Sequence, residues 1–184
     1  MKKLLICVDY QYDFVADDGL LTCGKPAQDV YQNILKKVKA YISDGQDIIF
    51  THDAHRTESW AAHPESRAFP PHCVAGTSGY ELYGELADIE KNEKNVKKVD
   101  KKAYCMDFAE IDAIIAKNYD IIEICGVTTD ICVLQSAVGL YTAVVNAGSA
   151  AKLAFAADCC ASFNPAGHDW ALEYMEKTLG FEKI

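Results

Sequence analysis

Cys132 stands in the segment Gly126-Val127-Thr128-Thr129-Asp130-Ile131-Cys132-Val133, directly after the apolar run Ile121-Ile122-Glu123-Ile124-Cys125. The run reads as a buried strand, and the residues from Thr129 to about Val145 read as a helix. That order predicts a thiol in the first helical turn, beyond the carboxyl end of a strand. Unpaired amides and the helix dipole there favour negative charge, hence thiolate, and the same amides can donate to an oxyanion. Other capable side chains close other apolar runs. Asp9 follows Leu4 to Val8, Asp53 and His55 follow Asp47 to Thr51, and Lys101 follows Asn95 to Val99. In an open α/β sheet, ligands bind outside the carboxyl ends of the strands. Acid, cation and thiol are therefore expected on one rim. A carboxylate to take the thiol proton, a cation to lower the thiol pKa and the thiol itself make a nucleophilic set. Each residue alone has a plainer reading: Asp9 as a turn cap, Lys101 beside Lys102 as solvated surface, Cys132 as a core thiol.

A second chemistry is written between residues 52 and 72. Four of the five histidines fall there: His52, His55, His63 and His72. Asp53-Ala54-His55 puts two ligand types on one side of an extended segment, and His72 can return from the end of Phe69-Pro70-Pro71-His72. Two imidazoles and a carboxylate with open positions suit one divalent ion: zinc first, with iron or manganese as alternatives. Glu65 can add an oxygen directly or through water. The plainer reading is a polar loop of hydrated histidines.

The elements that must position these groups alternate. Strands are predicted at Leu4 to Val8, Asp47 to Thr51, Asn95 to Val99, Ile121 to Cys125 and Lys152 to Ala156, with Phe181 to Lys183 as an edge strand. A helical stripe of Val30, Ile34 and Val38 runs to about Ser43. Glu81 to Ile89 reads as a short helix. Asp107-Phe108-Ala109-Glu110 resembles a capping box opening a helix through Lys117, and Asn164-Pro165 opens the last helix, which Gly180 ends. The stretch from His52 to Tyr80 is irregular and long, which is usually functional. This alternation predicts a three-layer α/β/α sandwich around a mainly parallel sheet of about six strands.

The chain has 184 residues, half of them hydrophobic, which suggests one domain over residues 1–184. A net charge of −9 argues against a nucleic-acid partner or an anionic membrane. No transmembrane segment is visible, and the apolar start after Lys2-Lys3 is too short for a signal peptide. A cytoplasmic protein is expected. Its eight cysteines contain no C-x-x-C pair and read as reduced thiols, mostly buried, rather than a disulfide scaffold.

These residues carry a family resemblance. Asp9-Tyr10-Gln11-Tyr12-Asp13-Phe14, Asp53-Ala54-His55, His63-Pro64-Glu65-Ser66, Phe69-Pro70-Pro71-His72, Gly76-Thr77-Ser78-Gly79 and Gly126 to Val133 together resemble the bacterial nicotinamidases of the isochorismatase-like cysteine hydrolases. The resemblance covers nearly the whole chain in matching order. It implies a metal-dependent amidohydrolase that turns a small carboxamide, nicotinamide, into nicotinate and ammonia through a thioester. It implies Asp9 as base, Lys101 as the triad lysine and Cys132 as nucleophile. Asp53, His55 and His72 would be metal ligands, with Glu65 in or near the coordination shell, and the ion would take the pyridine nitrogen. It further implies a cis peptide at Val127–Thr128, an oxyanion hole from the amides of Thr128 and Cys132, and a ring pocket of Phe14, Phe69 and Tyr104. Family members often self-associate, so a homo-oligomer is compatible. Where the family commonly has a Tyr-Ser-Ala-Phe type segment, this chain has Tyr104-Cys105-Met106-Asp107-Phe108, so its pocket wall differs.

Three rival readings remain at this level. One is another small-amide hydrolase of the superfamily, such as a carbamoyl amidase. Another is a non-catalytic metal- or ligand-binding module. The third is a redox sensor built on Cys159-Cys160. A reactive, low-pKa Cys132 would separate the enzymes from the others.

Overall fold

The computed structural model describes residues 1–184. Six strands form one sheet in the order β3-β2-β1-β4-β5-β6, every neighbouring pair parallel. They are β1 (Lys3–Val8), β2 (Asp47–Asp53), β3 (Val96–Lys101), β4 (Ile121–Val127), β5 (Lys152–Ala161) and β6 (Glu182–Lys183). Leu4, Leu5 and Ile6 of β1 are fully buried, as a strand covered on both faces requires. Each such side chain contributes roughly 1.5–3 kcal/mol of transfer free energy.

The strand order reverses between β1 and β4. Right-handed crossovers therefore put helices on both faces. The helix Tyr31–Ser43 contacts β2 and β5; Phe108–Ile115 packs on Leu134–Ala147, which packs on Pro165–Lys177. The predicted capping box is half made: the Asp107 side chain accepts from the Glu110 N–H. Asn164 caps the last helix by accepting from Gly167 N–H.

Several predicted boundaries shift, and the shifts matter for chemistry. β2 continues through His52 and Asp53, and β3 continues to Lys101, because the two strands stay paired up to Asp53 and Lys101. β5 runs five residues past the expected Ala156. An irregularity opposite Ile124 to Gly126 absorbs the polar interruption at Asp158. The helix expected from Glu81 begins at Leu86, after a short turn at Ser78–Tyr80.

The largest correction concerns Cys132. Thr129–Val133 is a wide π-type turn, and the α-helix starts only at Leu134. The Val133 N–H reaches back five residues to the Thr128 carbonyl at 3.1 Å. Such widened turns recur at functional sites. The run Thr129–Ala147 is long and apolar enough to cross a membrane by composition. In this fold its Leu134, Ala137 and Leu140 are buried in the core.

Candidate active site

The switch between β1 and β4 builds the site. Val8 pairs with Gly126, and the strands approach so closely that a Cβ on Gly126 would lie 2.2 Å from the Val8 carbonyl oxygen. Gly126 also has φ +118°, so this junction requires glycine. Two residues further, the Val127–Thr128 peptide is cis, as the resemblance implied.

Asp9 follows β1 and is fully buried. Thr51 of β2 donates to its Oδ1 at 2.6 Å, and Lys101 at the end of β3 pairs with its Oδ2 at 2.7 Å. The Lys101 ammonium also donates to the Ala103 carbonyl at 3.0 Å and lies 3.7 Å from Cys132 Sγ. Its Nζ is 3.6 Å from Asp53 Oδ1. Lys102, the rival lysine, is exposed. Acid, cation and thiol therefore meet from two strand ends and one turn.

Their electrostatics differ from the expectation at one point. Burial raises the Cys132 thiol well above its usual pKa. Lys101 opposes that shift, while the charges of Asp9 and Asp53 add to it. Removal from water and two carboxylates thus push the thiol upward, against the lowering by Lys101 that its sequence position suggested. Burial also raises Asp9, against the pull of Lys101. For Lys101 the balance goes the other way: burial favours the neutral amine, but Asp9, Cys132 and Asp53 hold it charged.

Next to this set, ligand atoms of Asp53, His55, Glu65 and His72 all lie within 4.8 Å of one another, and all four residues are buried. His55 Nε2 and His72 Nε2 are 3.0 and 3.3 Å from Asp53 Oδ2. Both are 3.8 Å from Glu65 Oε2. His72 Nδ1 lies 2.8 Å from the Pro70 carbonyl oxygen. Donating its proton there, the ring turns the Nε2 lone pair inward, the usual outer support of a metal-binding histidine. The edge of Trp60 against His55 and the ring of Phe14 against His72 fix both imidazoles. Two imidazole nitrogens and two carboxylates converging on one point fit one divalent ion. His52 and His63 do not join them. His52 pairs with Glu90 at 2.7 Å, and His63 lies 3.1 Å from the Lys102 carbonyl oxygen and stacks on Trp60.

The donor set makes a prediction about protons. Burial would lower His72, but its contacts with Asp53 and the Pro70 carbonyl raise it above the ordinary 6.5. A histidine raised in this way stabilises the metal-free fold below 6.5, and that contribution is lost as pH rises through the folded value. Ion binding needs the neutral ring. Zinc affinity should therefore rise with pH just above 6.5, by about tenfold per pH unit for one displaced proton. Calorimetry in buffers of different ionisation enthalpy should register the released proton; a pH-independent affinity would contradict this.

A narrow cleft joins the two clusters, with Cys132 and Thr128 on one wall and Asp53, Glu65 and His72 on another. Phe14, Phe69 and Tyr104 line it, as expected, and so do Leu21, Ile131 and Phe163, which sequence reading missed. Supporting residues were also missed. The Gln11 side chain accepts from Asp53 N–H at 2.8 Å and donates to the Asp53 and Tyr80 carbonyls. The Asp13 carboxylate accepts from Leu20 and Cys73 N–H groups, tying down the loop that ends in His72. An acid and an amide inside an otherwise aromatic and apolar run were the available signal. Cys7 and Cys125, expected as small buried side chains, are buried, and so are Cys159 and Cys160.

Comparison with known proteins agrees with this architecture. The isochorismatase domain model matches residues 3–181, and the chain belongs to that family. Its relatives define a narrower neighbourhood. The isochorismatase family protein PncA of Bacillus subtilis is 39% identical over 98% of this chain and 97% of its own length. The crystal structure of nicotinamidase/pyrazinamidase PncA from Bacillus subtilis superposes with a TM-score of 0.87 at 37% identity, covering 100% of this chain and 99% of that one. The pyrazinamidase/nicotinamidase of Streptococcus mutans gives 0.87 at 38% identity, with full coverage of both chains. The pyrazinamidase of Pyrococcus horikoshii, solved in complex with zinc, shares the fold at 23% identity, covering 100% of this chain and 99% of its own, with a TM-score of 0.80.

Proposed function

We propose that the chain acts as one metal-dependent cysteine amidohydrolase domain that converts nicotinamide to nicotinate and ammonia through a thioester on Cys132. The observation that carries this reading is the shared cavity. It sets a thiol 3.7 Å from a lysine, itself 2.7 Å from a buried carboxylate, beside a four-residue cation site. The nicotinamidase relatives, at 37 and 38% identity over essentially whole chains, support the substrate.

Asp9 accepts the proton of the Cys132 thiol as the sulfur attacks the carboxamide carbon. Deprotonation by Asp9 and attack by the sulfur are coupled. Lys101 keeps its charge throughout and offsets the negative charge that moves between Asp9 and sulfur. The amides of Thr128 and Cys132 receive the tetrahedral oxyanion, a contribution typically of about 2.7–4 kcal/mol per donor. The carbon–nitrogen bond then breaks, and the proton held by Asp9 leaves with ammonia. Asp9 next takes a proton from water, whose oxygen attacks the thioester carbon. The carbon–sulfur bond then breaks, the proton held by Asp9 returns to sulfur, and the acid formed leaves as nicotinate, its own carboxyl proton passing to solvent. Phe14, Phe69 and Tyr104 hold a flat ring and exclude bulk water.

Asp53, His55, His72 and Glu65 would hold one divalent ion. Zinc is favoured by the two imidazoles, and the zinc complex of the Pyrococcus horikoshii relative supports it. When bound, the ion supplies a Lewis-acidic anchor for a ring nitrogen, which is orientation rather than water activation. Eight unpaired cysteines suit a reducing, cytoplasmic compartment.

Ammonia release from nicotinamide, measured before and after chelation, tests the proposal. Activity should fall on metal removal and return with added zinc. Undiminished turnover in a verified metal-free sample would remove the anchoring role. Ammonia from carbamoyl amines but none from nicotinamide would move the chain to another amidase class.

A further inference from the structure

The cavity has an outer rim with no part in the steps above. Phe163 lines it with Cys132 and Leu21, yet remains 43% exposed. The ring therefore has one side on the cavity and another on solvent. Its neighbours on both sides are fastened to one carboxylate. Ser162 donates to Asp130 Oδ1 at 2.7 Å, and Asn164 Nδ2 donates to Asp130 Oδ2 at 3.4 Å. Asn164 N–H also donates to Ser162 Oγ at 3.1 Å. The approach leaves no room for a side chain, since a Cβ on Gly167 would fall 2.1 Å from Asp130 Oδ2. Asp130 lies two residues before Cys132 in the same wide turn. A second tie joins Thr129 Oγ1 to His168 Nδ1 at 2.8 Å. The segments carrying the rim phenylalanine and the nucleophile are thus tied together through Asp130.

We propose that Phe163 is a specificity-determining residue: its ring closes the solvent side of the cleft and sets the largest ring substituent that a heteroaromatic carboxamide can carry to Cys132. The aromatic walls select a flat ring; Phe163, whose chain neighbours are held by Asp130, limits what projects outward. The substrate class rests on the amidohydrolase reading above, but the closure itself is a property of access to the sulfur.

Two readouts on Phe163→Ala separate these claims. The first is kcat/KM for nicotinamide and for ring-alkylated nicotinamides. KM for nicotinamide should rise, and the alkylated-to-plain ratio of kcat/KM should increase on the order of 10-fold, the usual discrimination of an apolar wall by one or two methylenes. Phe163→Tyr should keep the wild-type ratio. The second readout needs no substrate: the rates at which iodoacetamide and the bulkier N-phenylmaleimide modify Cys132, resolved by peptide mass mapping. The maleimide-to-iodoacetamide ratio should rise in Phe163→Ala. Wild-type protein that labels at Cys132 but releases no ammonia from nicotinamide would defeat the substrate assignment alone. Unchanged labelling ratios in Phe163→Ala, or an equal loss of kcat/KM for every amide, would overturn the role of Phe163.

Discussion

Cys132→Ala should lower the rate of ammonia release from nicotinamide by roughly 10⁴–10⁶-fold, the scale seen when a nucleophile is removed from a set that acts as a unit. The loss is large because no other group can form the acyl bond. Asp9 and Lys101 serve the sulfur, and without it the cavity retains only binding and oxyanion donors. The fold should survive, since the change removes one buried sulfur atom and leaves the Val127–Val133 backbone hydrogen bonds in place. Cys132 is 4% exposed, and truncation of a small core side chain costs on the order of 1 kcal/mol. An ammonia assay paired with a thermal melt checks both halves. Turnover near the wild-type rate, with a normal melt, would remove the sulfur from the mechanism.

Asp9→Asn should damage activity and stability together. The substitution leaves the Lys101 ammonium, which has no side-chain exposure, facing a neutral amide. Breaking one side of a buried ion pair typically costs 3–5 kcal/mol. Here the low end, about 3 kcal/mol, is expected, because Asp53 Oδ1 at 3.6 Å still faces the lysine. Removing both charges, as Asp9→Asn with Lys101→Met, should recover most of that stability, because the uncompensated ion is gone. It should recover no activity, because the proton acceptor is gone as well. Denaturant unfolding of the two single variants and the double variant measures the coupling. Additive losses would show that the pair does not interact as its 2.7 Å separation implies.

Much of this site was legible before any coordinates, for a specific reason. Asp9, Asp53, Lys101 and Cys132 each stand at or just beyond the end of an apolar run. In a parallel sheet all such ends share one edge, so chain order alone brings them together. The cluster of Asp53, His55 and His72 was legible in the same way, from Asp53-Ala54-His55 and a histidine returning after two prolines.

What sequence hid has a common cause in tertiary placement. Gln11, Asp13 and Thr51 support the site through buried hydrogen bonds, which leave no periodic trace. Leu21 and Phe163 reach the cavity from loops far apart in the chain. The lowered thiol pKa was expected from position on a helix; burial and the neighbouring Asp9 and Asp53 push the thiol the other way. Strand ends were underestimated at β2 and β3 because His52, Asp53, Asp100 and Lys101 are polar, while strand pairing carries on through them.

The central chemical claim is a covalent bond between Cys132 sulfur and the acyl carbon of the substrate. Acid quenching of the enzyme during steady turnover of nicotinamide, followed by peptide mass mapping, reads it directly. A nicotinoyl group should be found on the peptide containing Cys132 and on no other cysteine. Sustained ammonia release with the acyl group on a different residue, or on none, would contradict it.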